Sequence, residues 1–172
     1  DNDGIPDYLD NIDESNLAPV GDSGDVVQTS AGTTVVLGDT AFSSGNNEVG
    51  IDESDVGSAD ADWDYLGGLV DFKVSGAQAG ATYNVVIPLS GTVPAGAVLR
   101  KFMGDNIGWQ DFVENATNAI HSAMATSGTC PEPGSSAYVP GLPTADAMVP
   151  EQTICLELLI EDGGPNDMDG AA

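Results

Sequence analysis

The residues best placed to do chemistry in this chain are carboxylates. Its 172 residues include 28 Asp and Glu against 3 Lys and Arg, a formal net charge of −25. Asp outnumbers Glu, and it recurs at i, i+2 spacing beside Gly or Asn. Short-armed carboxylates in tight turns suit oxygen cages for a hard cation, Ca2+ above all. A halophile's surface, where excess acid holds hydration and Lys is scarce, shares the composition. Spacing separates the two. In Asp1 to Asp10, DNDGIPDYLD, placing Asp1 on the third position of a twelve-residue calcium loop puts Asp3 on the fifth. Gly4 then makes the turn at the sixth, the Ile5 carbonyl serves as seventh, and Asp7 and Asp10 fall on the ninth and twelfth. Pro6 stiffens the turn and lowers the entropy cost of closing the cage.

Glu161 to Gly170 echoes this pattern, with Asp162, Asp167 and Asp169 as further candidate ligands against the alternative of a simple turn. Asp60, Asp62 and Asp64, with Asp52, Glu53 and Asp55, form another candidate group, against the alternative of a solvated loop. With a motif interrupted at each end, the expected context is a longer chain of Asp-rich linkers and folded modules. Coordination at the Asp1 end would be completed by upstream residues, by acids of the body, or by the C-terminal turn of a neighbouring copy. The last option would join copies head to tail, and such a contact propagates into a filament unless it closes a ring; the alternative, favoured for an isolated fragment, is a monomer whose ends fray.

Other chemistries find less support. Three cations cannot neutralise a row of phosphates, so nucleic acid and anionic membrane surfaces are excluded as partners. No apolar run approaches the roughly 18 residues of a membrane helix. The single His, His121, adjoins Ser122, but neighbours on a strand point apart, and no Gly-x-Ser-x-Gly elbow is present. Paired carboxylates are too many to single out a hydrolytic pair. No enzyme is required. Asn115-Ala116-Thr117 is a glycosylation sequon of weak weight. Cys130 and Cys155 lack any CxxC or second His, which favours a disulfide, and hence an oxidising compartment, over a metal site.

The elements that must position these groups read as strands. In Thr82 to Leu89, Tyr83, Val85, Ile87 and Leu89 share one face by period two. In Thr153 to Glu161, Ile154, Leu156, Leu158 and Ile160 face one way and Cys155, Glu157, Leu159 and Glu161 the other. Further strands are expected at Val26–Thr29, Thr33–Leu37, Leu69–Val74, Ala97–Phe102 and Trp109–Val113, while Asn115 to Ala125 reads as either helix or strand. Gly, Ser, Asn and Pro clusters between them give an all-β expectation: an Ig-like or jelly-roll-type β-sandwich with long Pro/Gly-rich loops. The domain reading is a calcium-binding segment or linker at 1–20 and a sandwich at 21–172. Lys73, Arg100 and Lys101 are expected in surface ion pairs worth under about 1 kcal/mol.

Two resemblances bear on context. Asp1 to about Asp13 resembles the thrombospondin type 3 repeat, whose Asp-rich loops wrap calcium with almost no core. Gly67-Gly68-Leu69-Val70-Asp71-Phe72, Ala97-Val98-Leu99-Arg100-Lys101-Phe102, Gly108-Trp109-Gln110-Asp111-Phe112-Val113-Glu114 and Ile160-Glu161-Asp162-Gly163-Gly164-Pro165-Asn166-Asp167 are similar to stretches of another family. They resemble the choice-of-anchor U domain of gammaproteobacterial secreted surface proteins, over about Gly50 to Gly170. Leu99 stands where a Tyr commonly precedes the Arg-Lys pair. This resemblance implies an extracellular, cell-surface location and implies no activity. The resulting expectation is a non-enzymatic, calcium-stabilised structural module of a secreted bacterial surface protein or extracellular fibre. The alternative is a calcium-dependent adhesin domain binding a glycan or protein ligand, with Trp63 beside Asp62 and Asp64 as its local candidate, although Trp63 and Trp109 read first as core or edge aromatics rather than ligand platforms.

Overall fold

A computed structural model describes residues 14–21, 24–57, 60, 62–65, 68–89, 91, 93–143 and 153–168. The chain is all-β. Its main sheet contains β1 (Leu17–Pro19), β2 (Val26–Thr29), β7 (Thr82–Leu89), β10 (Ala119–Met124), β11 (Val139–Pro140) and β12 (Ile154–Glu161). These run antiparallel in the order β1-β2-β7-β12-β10-β11. Three small antiparallel pairs accompany it: β3 (Thr34–Leu37) with β6 (Phe72–Ser75), β4 (Gly50–Ile51) with β5 (Leu69–Val70), and β8 (Arg100–Phe102) with β9 (Trp109–Asp111). One short helix, α1 (Asp39–Ser44), and a single 3-10 turn at Glu53–Asp55 complete the described elements.

Period two explains the layering. Val27, Val85, Ile87, Ile120, Leu156 and Leu158 from the main sheet bury against Val35, Leu37, Ala41 and Val49. Val70, Phe72 and Val74 seal the same core from the second layer. Each fully buried Val, Leu or Ile among them contributes about 1.5–3 kcal/mol, so this interior is the main source of stability. The opposite face of the main sheet has a smaller apolar cluster of Val86, Tyr138 and Cys155, with Ala123, Ala125 and Cys130 packed beside it. The segment after β10 returns across this second face before β11, tethered by the Cys130–Cys155 disulfide, whose Cα atoms are 5.5 Å apart.

The expected strands form, with three differences. Leu69–Val74 divides into β5 and β6 at Asp71, whose carboxylate turns away to accept the N–H groups of Thr40 at 2.8 Å and Ala41 at 3.0 Å. Asp71 thereby supplies the acceptor for the first turn of α1 from another element, a helix the strand pattern did not reveal. Gly38 makes room for this carboxylate, because a Cβ there would lie 2.1 Å from Asp71 Cγ. The 97–102 and 109–113 segments are strands only at Arg100–Phe102 and Trp109–Asp111. The ambiguous 115–125 segment is a turn followed by β10: Asn115 Oδ1 accepts from the Thr117 and Asn118 N–H groups, both at 2.9 Å, which uses the Asn in an Asx turn rather than a helix.

Candidate functional site

Asp1, Asp3, Ile5, Asp7, Asp10 and Asp169 lie outside the described residues. Of the candidate calcium ligands, Asp162 and Asp167 are described, and both stand in one turn after β12. Asp162 continues the β7–β12 ladder through its backbone, donating to Ala81 O and accepting from Gly80 N, each at 3.0 Å. The Asp167 carboxylate accepts from Gly163 N at 2.8 Å, closing the turn on itself.

Asn166 docks this turn on the body. Its amide pairs with both backbone groups of Val113, at 2.9 Å each, and donates to Asn118 Oδ1 at 2.9 Å. Asn118 is fully buried; its amide nitrogen donates to Asn115 Oδ1 and Thr117 Oγ1, and its oxygen also accepts from Glu161 N. The Lys101 ammonium enters the same network, donating to Asn166 Oδ1 at 2.6 Å and to the Pro165 carbonyl. Burial pushes the Lys101 pKa below the ordinary lysine value. A protein cation thus sits against the oxygens of the turn, which ties the C-terminal Asp-rich string to β8.

The three cations behave differently from one another. Lys73 forms an exposed pair with Asp39 at 2.6 Å, the surface bridge expected. Arg100 departs from that expectation. It holds Asp60 in a fork, Nε to Oδ2 at 2.8 Å and a terminal nitrogen to Oδ1 at 3.1 Å, and reaches Asp111 at 2.5 Å. The Arg100 and Asp60 side chains are only 18% and 12% exposed, so this pair is screened far less than a surface bridge. Donation to Asp60, and then to Asp111, pushes the Arg100 pKa above the usual arginine value. The Asp60, Asp62 and Asp64 group is therefore split: Asp60 is committed to Arg100, while Asp62 and Asp64 face solvent. Asp52 and Asp55 cap the 3-10 turn reciprocally. Among the described residues, no three His, Cys, Asp or Glu side chains converge to hold a metal ion.

A polar centre that the sequence reading did not single out lies on the second face of the main sheet. Glu157 is 2% exposed and stands opposite His121 in the β10–β12 register. Its Oε1 accepts from Asn84 Nδ2 at 2.8 Å and Gly134 N at 2.6 Å, and its Oε2 lies 3.2 Å from His121 Nδ1. Tyr138 closes the loop above it, donating to Pro131 O at 2.7 Å. Burial, and then the Glu157 charge, push the Tyr138 pKa above the ordinary phenol value. The available signal was the alternation in β12, which aims Glu157 away from the main core in a central strand, where a buried carboxylate requires donors. Ser122 points to the other side and donates to Gly141 O at 2.8 Å, so His121 and Ser122 do not form a base–nucleophile pair.

Among the described residues, no helix is long and apolar enough to cross a membrane. Comparisons with models of known protein families, with curated proteins and with solved structures find no match.

Proposed function

We propose that this chain is a non-enzymatic, calcium-stabilised structural module of a secreted bacterial cell-surface protein or extracellular fibre. The observation that carries the reading is the ligand spacing of Asp1, Asp3, Ile5, Asp7 and Asp10 around Gly4. The body supports it in two ways. The loop after β10 is tied down by the disulfide and by Glu157, and the turn after β12 by Asn166 and Asn118, which suits a structural module. Its acids also far outnumber its cations, so a bound divalent ion would relieve self-repulsion at its site beyond what salt screening does.

Each bound ion would neutralise several carboxylates, and ordering of the loop and binding of the metal would be one equilibrium. Extracellular modules of this kind bind calcium with dissociation constants of about 10⁻⁴–10⁻³ M, a range that calcium-rich surroundings keep occupied. The disulfide suits the same oxidising exterior. The likeness to choice-of-anchor U domains supports the surface location, with neighbouring modules or copies of the chain as partners. A metal count on the purified chain, before and after chelation, tests the proposal. Calcium that accompanies the protein and is lost with chelator supports it; a chain that takes up no calcium at millimolar concentration overturns it.

A further inference from the structure

We propose that the outer face of Trp63 is a binding platform for a neutral pyranose ring of a polysaccharide. This goes beyond the calcium reading, because nothing in the platform requires a metal. Trp63 is 45% exposed, yet the loop that carries it is fastened at several points. The Arg100 guanidinium lies 5.3 Å from the indole centroid. That guanidinium is itself locked by the fork to Asp60 and the bond to Asp111. The Asp60 N–H donates to Tyr65 Oη at 3.1 Å, and the Trp63 N–H donates to Asp60 O at 3.0 Å. Tyr65 in turn packs at a tilt against Trp109 of β9, with ring centroids 5.4 Å apart. An aromatic ring held in this way loses little conformational freedom when a ligand covers it, so less of the binding energy is lost to ordering.

The surroundings select the ligand. An indole face carries negative potential and attracts the weakly positive C–H edge of a sugar ring. Asp111, 69% exposed, borders the platform through Arg100, and Asp62 and Asp64 are exposed beside Trp63. Carboxylates are acceptors only, which suits the hydroxyl donors of a sugar. The same carboxylates, on a chain of charge −25, repel uronic acids and sulfated sugars. The indole face is far smaller than the roughly 800 Å² per partner of a stable protein–protein contact, so a small ring fits it better than a protein partner.

Affinity electrophoresis of the full chain through gels containing starch, hydroxyethylcellulose, arabinoxylan, galactomannan or alginate tests the proposal, run once with calcium and once with chelator. At least one neutral polysaccharide should retard the wild type in both conditions, alginate should not, and Trp63→Ala should weaken retardation at least tenfold. Trp63→Phe should retain part of it, and Phe42→Ala, an exposed aromatic on α1, should retain all of it. Saturable, blue-shifted indole fluorescence on adding the retarding polysaccharide should accompany binding by the wild type. Three results would each overturn the platform: no retardation by any neutral polysaccharide, retardation unchanged in Trp63→Ala, or retardation only with calcium. None of them bears on the metal count, so the two proposals fail separately.

Discussion

Glu157 and His121 face each other directly across the β10–β12 ladder, 3.2 Å apart, beneath a loop that the Cys130–Cys155 disulfide ties to the same strand. The carboxylate is satisfied from three directions: the neighbouring strand β7 through Asn84, the loop through Gly134, and β10 through His121. Removing it would leave buried donors without an acceptor. Glu157→Ala should therefore cost about 3 kcal/mol in urea-induced unfolding, while Glu157→Gln, which keeps an acceptor for Gly134, should cost distinctly less. Equal and small losses in both variants would refute this role.

The disulfide closes a segment of sequence separation 25. By the loop-entropy relation this contributes roughly 3.5 kcal/mol, chiefly by restricting the unfolded chain. Reduction, or replacement of both Cys by Ser, should lower the unfolding midpoint accordingly. The N–H groups of Gly134 and Tyr138 should also exchange faster, because the loop then rests on its hydrogen bonds alone. Unreduced protein unfolded in denaturant should yield no titratable thiol; a measurable thiol would mean the bond does not form.

Tyr138 gives the fold an alkaline limit. Its pKa is raised in the folded state, by burial first and by the Glu157 charge second. The unfolded chain releases this proton near pH 10 while the folded chain retains it. The stability from this group is thus fully present below about pH 10 and is lost as pH rises beyond that value. Phenolate absorbance assigned to Tyr138, as the difference between wild type and Tyr138→Phe, should appear only above pH 10 and together with unfolding. Ionisation of Tyr138 in the still-folded protein near pH 10 would contradict the assignment.

The parts of this fold legible in the sequence are those governed by period two. β7 and β12 are readable because one face of each is apolar at every second residue, and β2 because its ends are marked by turn residues. The break at Asp71 is not legible in the sequence, because the apolar rhythm of Val70, Phe72 and Val74 continues through it, and only the tertiary structure reveals that its carboxylate serves α1. The cysteines were legible by elimination. The Glu157 centre was half legible: alternation gave its face, but its donors come from Asn84, His121 and Gly134, far apart in the chain. Arg100 could not be paired from sequence for the same reason, since Asp60 lies 40 residues away.

Thermal melting of the full chain in calcium, in chelator, and in chelator with NaCl added to equal ionic strength addresses the central claim most directly. The salt arm matters because a chain of charge −25 gains some stability from screening alone. If Asp1, Asp3, Ile5, Asp7 and Asp10 wrap calcium, the midpoint should rise with calcium, by an amount that grows as the logarithm of its concentration above about 10⁻⁴–10⁻³ M, and the rise should vanish in Asp3→Ala/Asp7→Ala. A midpoint in calcium equal to that in matched NaCl would contradict the account.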